Sequence, residues 1–170
     1  QYPIRNIADY LFACSIPAGR WLFGSKHITK DNFFIINNAI NTKAFSYNKE
    51  VRLQKRKELD IQNNFVLGHV GRFHPQKNHD FLIEIFIEMQ KINKNTILLL
   101  VGNGELVDHI KAKVDYYGIN DKVKFLGMRE DVPQIFQAMD AFVLPSHYEG
   151  LGIVAIEAQA SGLPCIISSN

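Results

Sequence analysis

Two carboxylates, Glu149 and Glu157, lie eight positions apart near the end of the chain. The first lies in a turn rich in Pro, Ser and Gly after the apolar run 141–144, and the second in the helix predicted to follow. Such a helix start offers unpaired backbone N–H groups and a positive dipole end, which suit a phosphate. Carboxylates only accept hydrogen bonds and therefore suit the hydroxyls of a ribose or a hexose. The stretch is compatible with a nucleotide-sugar site, and equally with an ordinary strand, turn and helix carrying two solvated glutamates.

A second stretch places cations after another apolar strand. Gly71 and Arg72 follow the run 65–70, and Lys77 comes five residues after the arginine. Arginine supplies a forked set of donors and lysine a mobile point charge, so together they can neutralise a diphosphate. The same residues would also serve as surface cations in a loop between strand and helix.

Residues 145–164 resemble the E-x7-E signature of the family 4 retaining glycosyltransferases, enzymes of the GT-B fold. The signature matches at eight positions: Pro145, Ser146, Glu149, Gly150, Glu157, Ala158, Gly162 and Pro164. Two further stretches resemble the same family, G-R-x-x-x-x-K at 71–77 and V-x-F-L-G at 123–127. The likeness covers nearly the whole chain, as the carboxyl-terminal, donor-binding half of a two-domain enzyme.

The resemblance implies a role for each matched residue. Arg72 and Lys77 would contact the donor diphosphate and stabilise the departing nucleotide, and Glu149 would lie near the transferred sugar, so these three are the predicted catalytic residues. Glu157 would take the ribose hydroxyls, and the 127–129 turn would lie against the nucleobase. The predicted donor-binding residues are Gly71, Arg72, Lys77, Gly127, Met128, Arg129, Glu149, Gly150, Leu151 and Glu157.

No cofactor or metal is expected. Fixed cations aimed at the charge of a leaving nucleoside diphosphate provide a large stabilisation, and such enzymes use them in place of a bound metal. No Asp-x-Asp pair precedes a candidate site, and the histidines do not form a ligand set at recognised spacing. The nucleotide-sugar is therefore a substrate, and no metal residues are predicted.

Composition limits the class of protein. At 170 residues, 46% of them hydrophobic, the chain has room for one soluble globular domain with a full core. A net charge of +2 is too small to imply nucleic acid, and no apolar run is long enough to span a membrane. Cys14 and Cys165 lie in apolar runs and are expected to be buried, reduced thiols.

Strands and helices alternate along the chain, and the strands are continuously apolar, as in the run 97–101. Both features are typical of a doubly wound, mostly parallel α/β (Rossmann-like) sheet, with ligands at the carboxyl ends of the strands. The predicted strands are 8–15, 33–37, 65–71, 97–101, 123–126, 141–144 and 164–168. The predicted helices are 16–23, 49–59, 79–90, 105–117, 132–138 and 151–161.

Two of these helices carry predictions about their faces. In helix 79–90, the apolar residues expected to face the core are Phe81, Leu82, Ile85, Phe86 and Met89. In helix 49–59, the charged run 55–58 is expected to be a solvated face.

The chain is predicted to contain parts of two domains. Residues 1–45 resemble the end of the family's N-terminal acceptor domain with its hinge, and 46–170 the nucleotide-sugar domain, truncated at its C-terminus. We expect a fragment cut at both ends, since it begins without methionine and ends on a strand that has just left its helix. Such a fragment would bind a nucleotide-sugar weakly and transfer nothing.

The intact protein is expected to transfer a hexose or N-acetylhexosamine from a nucleoside-diphosphate sugar, UDP favoured, to a growing glycan or lipid-linked oligosaccharide. Bacterial surface polysaccharide synthesis on the cytoplasmic side is the commonest setting for such chains, and the mild positive charge permits peripheral contact with an anionic membrane. Alternatives are a GT-B nucleotide-sugar epimerase and a non-catalytic nucleotide-binding module. A dinucleotide site at 102–107 is disfavoured because Val107 occupies a position that needs a small residue.

Overall fold

The structure is a computed structural model that describes residues 4–168. The outermost parts of the predicted domains 1–45 and 46–170, namely 1–3 and 169–170, lie outside the described residues. The chain forms two compact units, Gln1–Ile40 and Asn41–Asn170. This division falls five residues before the predicted boundary (45 against 40), and the assignment of the units to an acceptor and a donor domain stays a prediction.

The first unit contains a small parallel sheet. Helix α1 (Ile4–Ile7) precedes strand β1 (Leu11–Ala13), helix α2 (Ile16–Phe23) and strand β2 (Phe33–Ile35). The two strands pair in parallel, and both are shorter than predicted. Helix α2 begins after Ser15 because the Ser15 hydroxyl accepts a hydrogen bond from the Ala18 N–H at 3.2 Å, which caps the helix.

The second unit alternates helices and strands. Its helices are α3 (Thr42–Phe45), α4 (Lys49–Glu58), α5 (His79–Ile92), α6 (Val107–Tyr116), α7 (Val132–Ala138) and α8 (Ile153–Ala160). Its strands are β3 (Phe65–Val70), β4 (Thr96–Val101), β5 (Val123–Gly127), β6 (Ala141–Leu144) and β7 (Cys165–Ile167). Two 3-10 helices, Pro75–Lys77 and Asn120–Lys122, follow β3 and precede β5.

The five strands form one parallel sheet in the order β5-β4-β3-β6-β7. From β3 the chain moves outward through β4 to β5, and then crosses back to place β6 on the other side of β3. Because parallel crossovers are right-handed, α5 and α6 cover one face of the sheet, and α7 and α8 cover the other. The predicted doubly wound α/β fold is confirmed, and its topological switch point lies between β3 and β6.

The centre of the sheet is buried on both faces. Every residue of β4 is buried, as its uninterrupted apolar sequence predicts. On one face, Leu98 and Leu100 pack against Phe86 of α5 and Ile110 of α6.

The prediction of a solvated face at 55–58 is wrong for its first two residues. Arg56 is only 7% exposed and donates hydrogen bonds to the carbonyls of Ala138 and Asn64. Its guanidinium also pairs with Asp140. The Lys55 side chain is likewise largely covered and pairs with Asp131. The cause is α7, which packs against α4 and supplies partners that the sequence of α4 does not reveal.

The predicted buried face of α5 is confirmed at Leu82 and Phe86 and is wrong at Phe81. Phe81 is 49% exposed, and the buried positions are His79, Leu82, Ile83 and Phe86. These positions follow the spacing i, i+3, i+4, i+7, but the stripe begins with a histidine. His79 stacks on Phe73 with ring centroids 4.1 Å apart. Because His79 is polar, a prediction based on hydrophobicity did not include it in the buried stripe.

The two cysteines are free, but they are not both buried as predicted. Cys14 is exposed, and Cys165 is half-buried. In β1 the side chains of Leu11 and Ala13 point to the buried face. Successive side chains of a strand point to opposite faces, so Cys14, directly after Ala13, continues the exposed side. Burial raises the pKa of the Cys165 thiol.

Candidate functional site

The switch point brings two of the predicted catalytic loops together. Arg72 and Lys77 follow β3, Glu149 follows β6, and these strands are neighbours in the sheet. In open parallel sheets, ligands bind at the carboxyl ends of the strands where the strand order reverses. The predicted catalytic residues therefore lie at the place where the topology of this sheet forms a crevice.

Two glycines hold the loop that carries Arg72. A Cβ atom on Gly102 would lie 2.0 Å from the Gly71 carbonyl oxygen, and one on Gly104 would lie 2.4 Å from that of Phe73. The absence of side chains lets the loops after β3 and β4 touch through their backbones, and the Phe73 N–H donates to the Asn103 carbonyl at 3.0 Å. The 102–104 turn thus serves the packing of the loops after β3 and β4 against each other.

The Arg72 side chain is exposed and forms no hydrogen bond or ion pair with the described residues. Its backbone is fixed on either side, since the Gly71 N–H donates to the Val101 carbonyl at 2.9 Å and Phe73 is held as above. A guanidinium on an anchored backbone, with all its donors open, can meet a phosphate at little cost in backbone entropy.

Lys77 and Glu149 meet directly. The Lys77 ammonium donates to Glu149 Oε1, and the Ser146 hydroxyl donates to the same oxygen at 2.6 Å. Both side chains are largely covered, at 17% and 21% exposed. Burial acts to raise the pKa of Glu149, but the hydrogen bonds from Lys77 and Ser146 outweigh it, and the pKa is lowered. Glu149 is therefore a carboxylate at neutral pH.

The loops after β3 and β6 are joined at two further points. The Gln76 side-chain amide donates to the Tyr148 carbonyl at 2.9 Å, and the His147 N–H donates to the Gln76 carbonyl at 2.8 Å. The loop after β6 is also held from β7, because the Ser168 hydroxyl donates to the Ser146 carbonyl at 2.5 Å.

Helix α8 begins two residues later than predicted, at Ile153. Gly152 lies before it in the left-handed region (φ +61°), which turns the chain from the Glu149 loop into the helix. The backbone N–H groups of Gly150 and Leu151 donate to no described residue. Gly150 and Leu151 are exposed, so their N–H groups are available to an anion close to the positive end of the α8 dipole.

Glu157 lies one turn into α8 and is partly covered. Its carboxylate accepts no hydrogen bond from the described residues, and burial raises its pKa. A half-buried carboxylate without a donor is well suited to accept hydrogen bonds from hydroxyl groups. The two glutamates therefore differ: Glu149 is already paired, and Glu157 is not.

The 127–129 turn presents its backbone and the exposed side chain of Met128. Gly127 has φ +66° and its carbonyl accepts from the Gly102 N–H at 2.8 Å, while Met128 is 81% exposed. Arg129 is engaged by Asp131, to which it donates two hydrogen bonds of 2.7 Å. The Arg129 guanidinium is thus committed within the protein, and its backbone is what this residue offers at the edge of the site.

A pair of buried histidines beneath the site did not emerge from the sequence. His69, in β3, is fully buried, and its Nδ1 lies 2.9 Å from the Val143 carbonyl oxygen, so Nδ1 carries the proton. A Cβ atom on Gly71 would lie 2.9 Å from His69 Nε2. His79 is 1% exposed with its ring centroid 4.7 Å from that of His69. Burial, the largest cause, lowers the pKa of His69 to about 4 and that of His79 to about 3.

Gln76 and Ser146 were also missed as functional residues. Ser146 had a signal, because it belongs to the matched signature. Gln76 had none, because its partner Tyr148 lies 72 positions away and only the fold brings them together.

The chain belongs to the family described as glycosyl transferases group 1, whose profile matches residues 51–170. Among its relatives is the putative glycosyltransferase EpsF of Bacillus subtilis, 36% identical over 164 residues, which are 96% of this chain and 43% of EpsF. An Escherichia coli relative, UDP-Gal:alpha-D-GlcNAc-diphosphoundecaprenol alpha-1,3-galactosyltransferase, is 34% identical over 139 residues, which are 79% of this chain and 36% of that protein. The predicted family is confirmed, and the chain spans less than half the length of these relatives.

A solved structure has the same fold. Anabaena HepE, crystallised in complex with UDP-glucose, superposes with a TM-score of 0.79 at 26% identity, over 98% of this chain and 46% of HepE. The prediction of the carboxyl-terminal half of a GT-B glycosyltransferase fold is confirmed. Among the described residues, no helix is long and apolar enough to cross a membrane.

Proposed function

We propose that this chain is the donor-binding half of a retaining glycosyltransferase that takes its sugar from a nucleoside-diphosphate sugar. The observation that carries the proposal is the Lys77–Glu149 pair at the switch point of the sheet, with Arg72 on the loop after β3 and the α8 N-terminus after the loop that follows β6. One monophosphate would use only part of this set of cationic and N–H donors, whereas a diphosphate can use all of it.

Each residue has a part in the proposed reaction. Arg72 and Lys77 neutralise the charge that develops on the leaving nucleoside diphosphate, and the N–H groups of Gly150 and Leu151 contribute from the other loop. Glu157 accepts hydrogen bonds from the ribose hydroxyls, and the backbone of 127–129 borders the base. Glu149, once Lys77 turns to the diphosphate, lies beside the sugar as its ring becomes oxocarbenium-like.

The donor we favour is a UDP-hexose or UDP-N-acetylhexosamine, and the acceptor a growing glycan or lipid-linked oligosaccharide in bacterial surface polysaccharide synthesis. Two names support this choice: HepE was solved with UDP-glucose, and the E. coli relative is named for UDP-Gal and a diphosphoundecaprenol acceptor. The acceptor would be bound by the domain to which Gln1–Ile40 belongs, on the cytoplasmic side, with peripheral membrane contact.

Calorimetry with UDP and UMP tests the donor-binding half of the proposal on this chain. We expect UDP to bind more tightly than UMP. Arg72→Met should weaken the binding of UDP about 10-fold or more, since a charge-assisted hydrogen bond is worth about 1.5–3 kcal/mol. The same substitution should weaken the binding of UMP less. Arg20→Met, at an exposed arginine of the first unit, is the matched control and should change neither.

The same titrations with GDP and ADP show whether another base is preferred. Equal affinity for the diphosphate and monophosphate of every base would refute the proposed diphosphate site. Sugar transfer itself is measured on the full-length protein, by following the release of the nucleoside diphosphate. NMR determines the anomeric configuration of the product. An inverted product would exclude the retaining mechanism.

A further inference from the structure

Backbone pairing between the two strands that carry the site ends early. Strand β3 pairs with β4 as far as Val70 and Val101, but it pairs with β6 only through Leu67 with Ala141 and Gly68 with Phe142. Beyond these pairs, no ladder fixes the distance between the loops after β3 and β6. That distance decides whether Arg72 and Lys77 on one loop and Glu149 on the other can hold the same ligand.

Beyond the paired residues, three side chains and one backbone hydrogen bond connect the two segments. The first link is His69, whose ring bonds to the Val143 carbonyl within the core. At the level of the loops, the links are the Lys77–Glu149 ion pair and the two hydrogen bonds of Gln76 to Tyr148 and His147. Gln76 lies in the 3-10 helix Pro75–Lys77, directly before Lys77.

The two links at the loop level differ in what a donor would do to them. Lys77 and Glu149 are both groups that the proposed function turns toward the substrate, so their mutual bond must weaken when a diphosphate binds. In the opposite loop, Gln76 bonds to backbone groups alone, the Tyr148 carbonyl and the His147 N–H, and the proposed ligand needs neither of them. The Gln76 contacts can therefore persist while Lys77 exchanges its partner.

We infer that Gln76 is a positioning residue: its amide holds the loops after β3 and β6 at the separation that lets Lys77 and Glu149 act on one diphosphate-sugar. The inference rests on the proposed function and adds to it a residue that does not touch the substrate. The backbone bond from His147 survives any substitution at position 76, so a variant tests the side-chain bond to the Tyr148 carbonyl alone.

The test uses Gln76→Met and Gln76→Glu in the full-length protein, with Gln54→Met, at an exposed glutamine of α4, as the matched control. Methionine keeps the length of the side chain but has no N–H donor. We expect kcat to fall about tenfold or more, since a misplacement of about 1 Å costs on the order of 100-fold. KM should change less, and the melting temperature should stay within about 2 °C because the bond is exposed.

Gln76→Glu supplies a pH-dependent measurement, which should not change if Gln76 has a purely structural role. Its carboxylate would face the Tyr148 carbonyl with no donor, whereas its protonated form can donate to it. The activity of Gln76→Glu relative to wild type should therefore recover as the pH falls toward about 4.5, near the ordinary glutamate pKa. Gln76→Met should show no such recovery. Wild-type kcat in Gln76→Met, or a pH-independent ratio in Gln76→Glu, would overturn the inference.

Binding separates this inference from the proposed function. In Gln76→Met the preference for UDP over UMP, or for the matching pair of the preferred base, should fall by about threefold, less than kcat falls, while UMP affinity is kept, because only the diphosphate spans both loops. An unchanged preference would contradict the role of Gln76 and leave the proposed function standing. A wild-type protein that binds no nucleoside diphosphate would refute the proposed function, and this inference with it.

Discussion

Glu149 accepts hydrogen bonds from Lys77 and Ser146, whereas Glu157 has no donor among the described residues. At the scale of single residues, this contrast indicates that the two glutamates have different roles in the proposed reaction. Glu149 exchanges a partner as the substrate binds, and its charge lies beside the sugar when positive charge develops there. Glu157 makes a contact that is the same in the ground state and in the transition state.

Replacing each glutamate by glutamine separates these roles in the full-length protein. Glu149→Gln should lower kcat by about 100-fold, as for other groups that stabilise developing charge, with little change in KM. Glu157→Gln should mainly raise KM, by about tenfold, because one charged acceptor is lost from binding. Steady-state kinetics measure both effects, and the exposed Glu88→Gln is the control. An unaltered kcat in Glu149→Gln would refute its catalytic role.

The buried histidines predict how stability depends on pH. Both pKa values are lowered in the folded protein, His69 to about 4 and His79 to about 3, mainly by burial. The unfolded chain therefore binds protons first, so the stabilisation is complete above pH 6.5 and is lost as the pH falls from 6.5 toward 4. Each histidine should lower the free energy of unfolding by up to about 1.4 kcal/mol for each pH unit in that window.

Urea unfolding at pH 7, 5.5 and 4.5 measures this loss. His79→Phe should make the fall in unfolding free energy shallower, because phenylalanine cannot take up a proton. His27→Gln, at a histidine of the first unit whose ring lies 3.1 Å from the uncharged Asn6 side chain, is the control. If His79→Phe loses stability with pH as steeply as the wild type, the buried histidine is not the group that titrates.

At the scale of elements, the site depends on loops that touch through their backbones. The loop after β3 lies on the 102–104 turn so closely that a side chain there would displace the Gly71 carbonyl or that of Phe73. The element that positions Arg72 is therefore the 102–104 turn after β4. This turn contains no charged residue.

Gly102→Ala should disturb both stability and binding. The new Cβ would lie 2.0 Å from the Gly71 oxygen at φ +133°, so the loops must separate, at a cost of about 3 kcal/mol or more. Gly118→Ala is a matched control: its φ of +64° is also positive, but nothing lies within 4 Å, so it should cost only about 1 kcal/mol. Thermal unfolding and UDP calorimetry compare the two variants. Equal effects on UDP affinity would show that the turn does not position Arg72.

At the scale of the whole molecule, the parallel sheet with its switch point creates one crevice from two distant segments. Lys77 and Glu149 are 72 positions apart, and the crossover from β5 to β6 closes that distance. The same crossover puts α7 against α4, where Asp140 and Asp131 compensate Arg56 and Lys55. The Arg56–Asp140 pair lies beside the amino ends of β3 and β6, at the opposite edge of the sheet from the candidate site.

The cations of this crevice lead us to expect metal-independent transfer by the full-length protein. Arg72 and Lys77 supply the positive charge that a divalent ion would otherwise bring to the diphosphate. Activity should therefore be the same within about twofold with EDTA or with added Mn²⁺ or Mg²⁺. Loss of activity in EDTA and its return with Mn²⁺ would show that the roles of Arg72 and Lys77 have been misassigned.

The sequence alone determined the fold class and the place of the candidate site. Apolar runs of strand length such as 97–101, alternating with helices, indicate parallel strands covered on both faces. Glycines, cations and carboxylates directly after such strands are then expected at one edge of the sheet. The resemblance of residues 145–164 and of the run from Gly71 to Lys77 to the family's motifs predicted the family, whereas the spacing of Glu149 and Glu157 alone left an ordinary strand, turn and helix open.

Only the tertiary structure decided which groups are paired. It placed Gln76 against Tyr148, buried His79 in the stripe expected for Phe81, and covered Arg56 with α7. The physical reason is that periodicity in a sequence reports the polarity of a face, whereas burial and pairing depend on the element that packs against it. That element lies tens of residues away, and its side chains leave no mark on the local pattern.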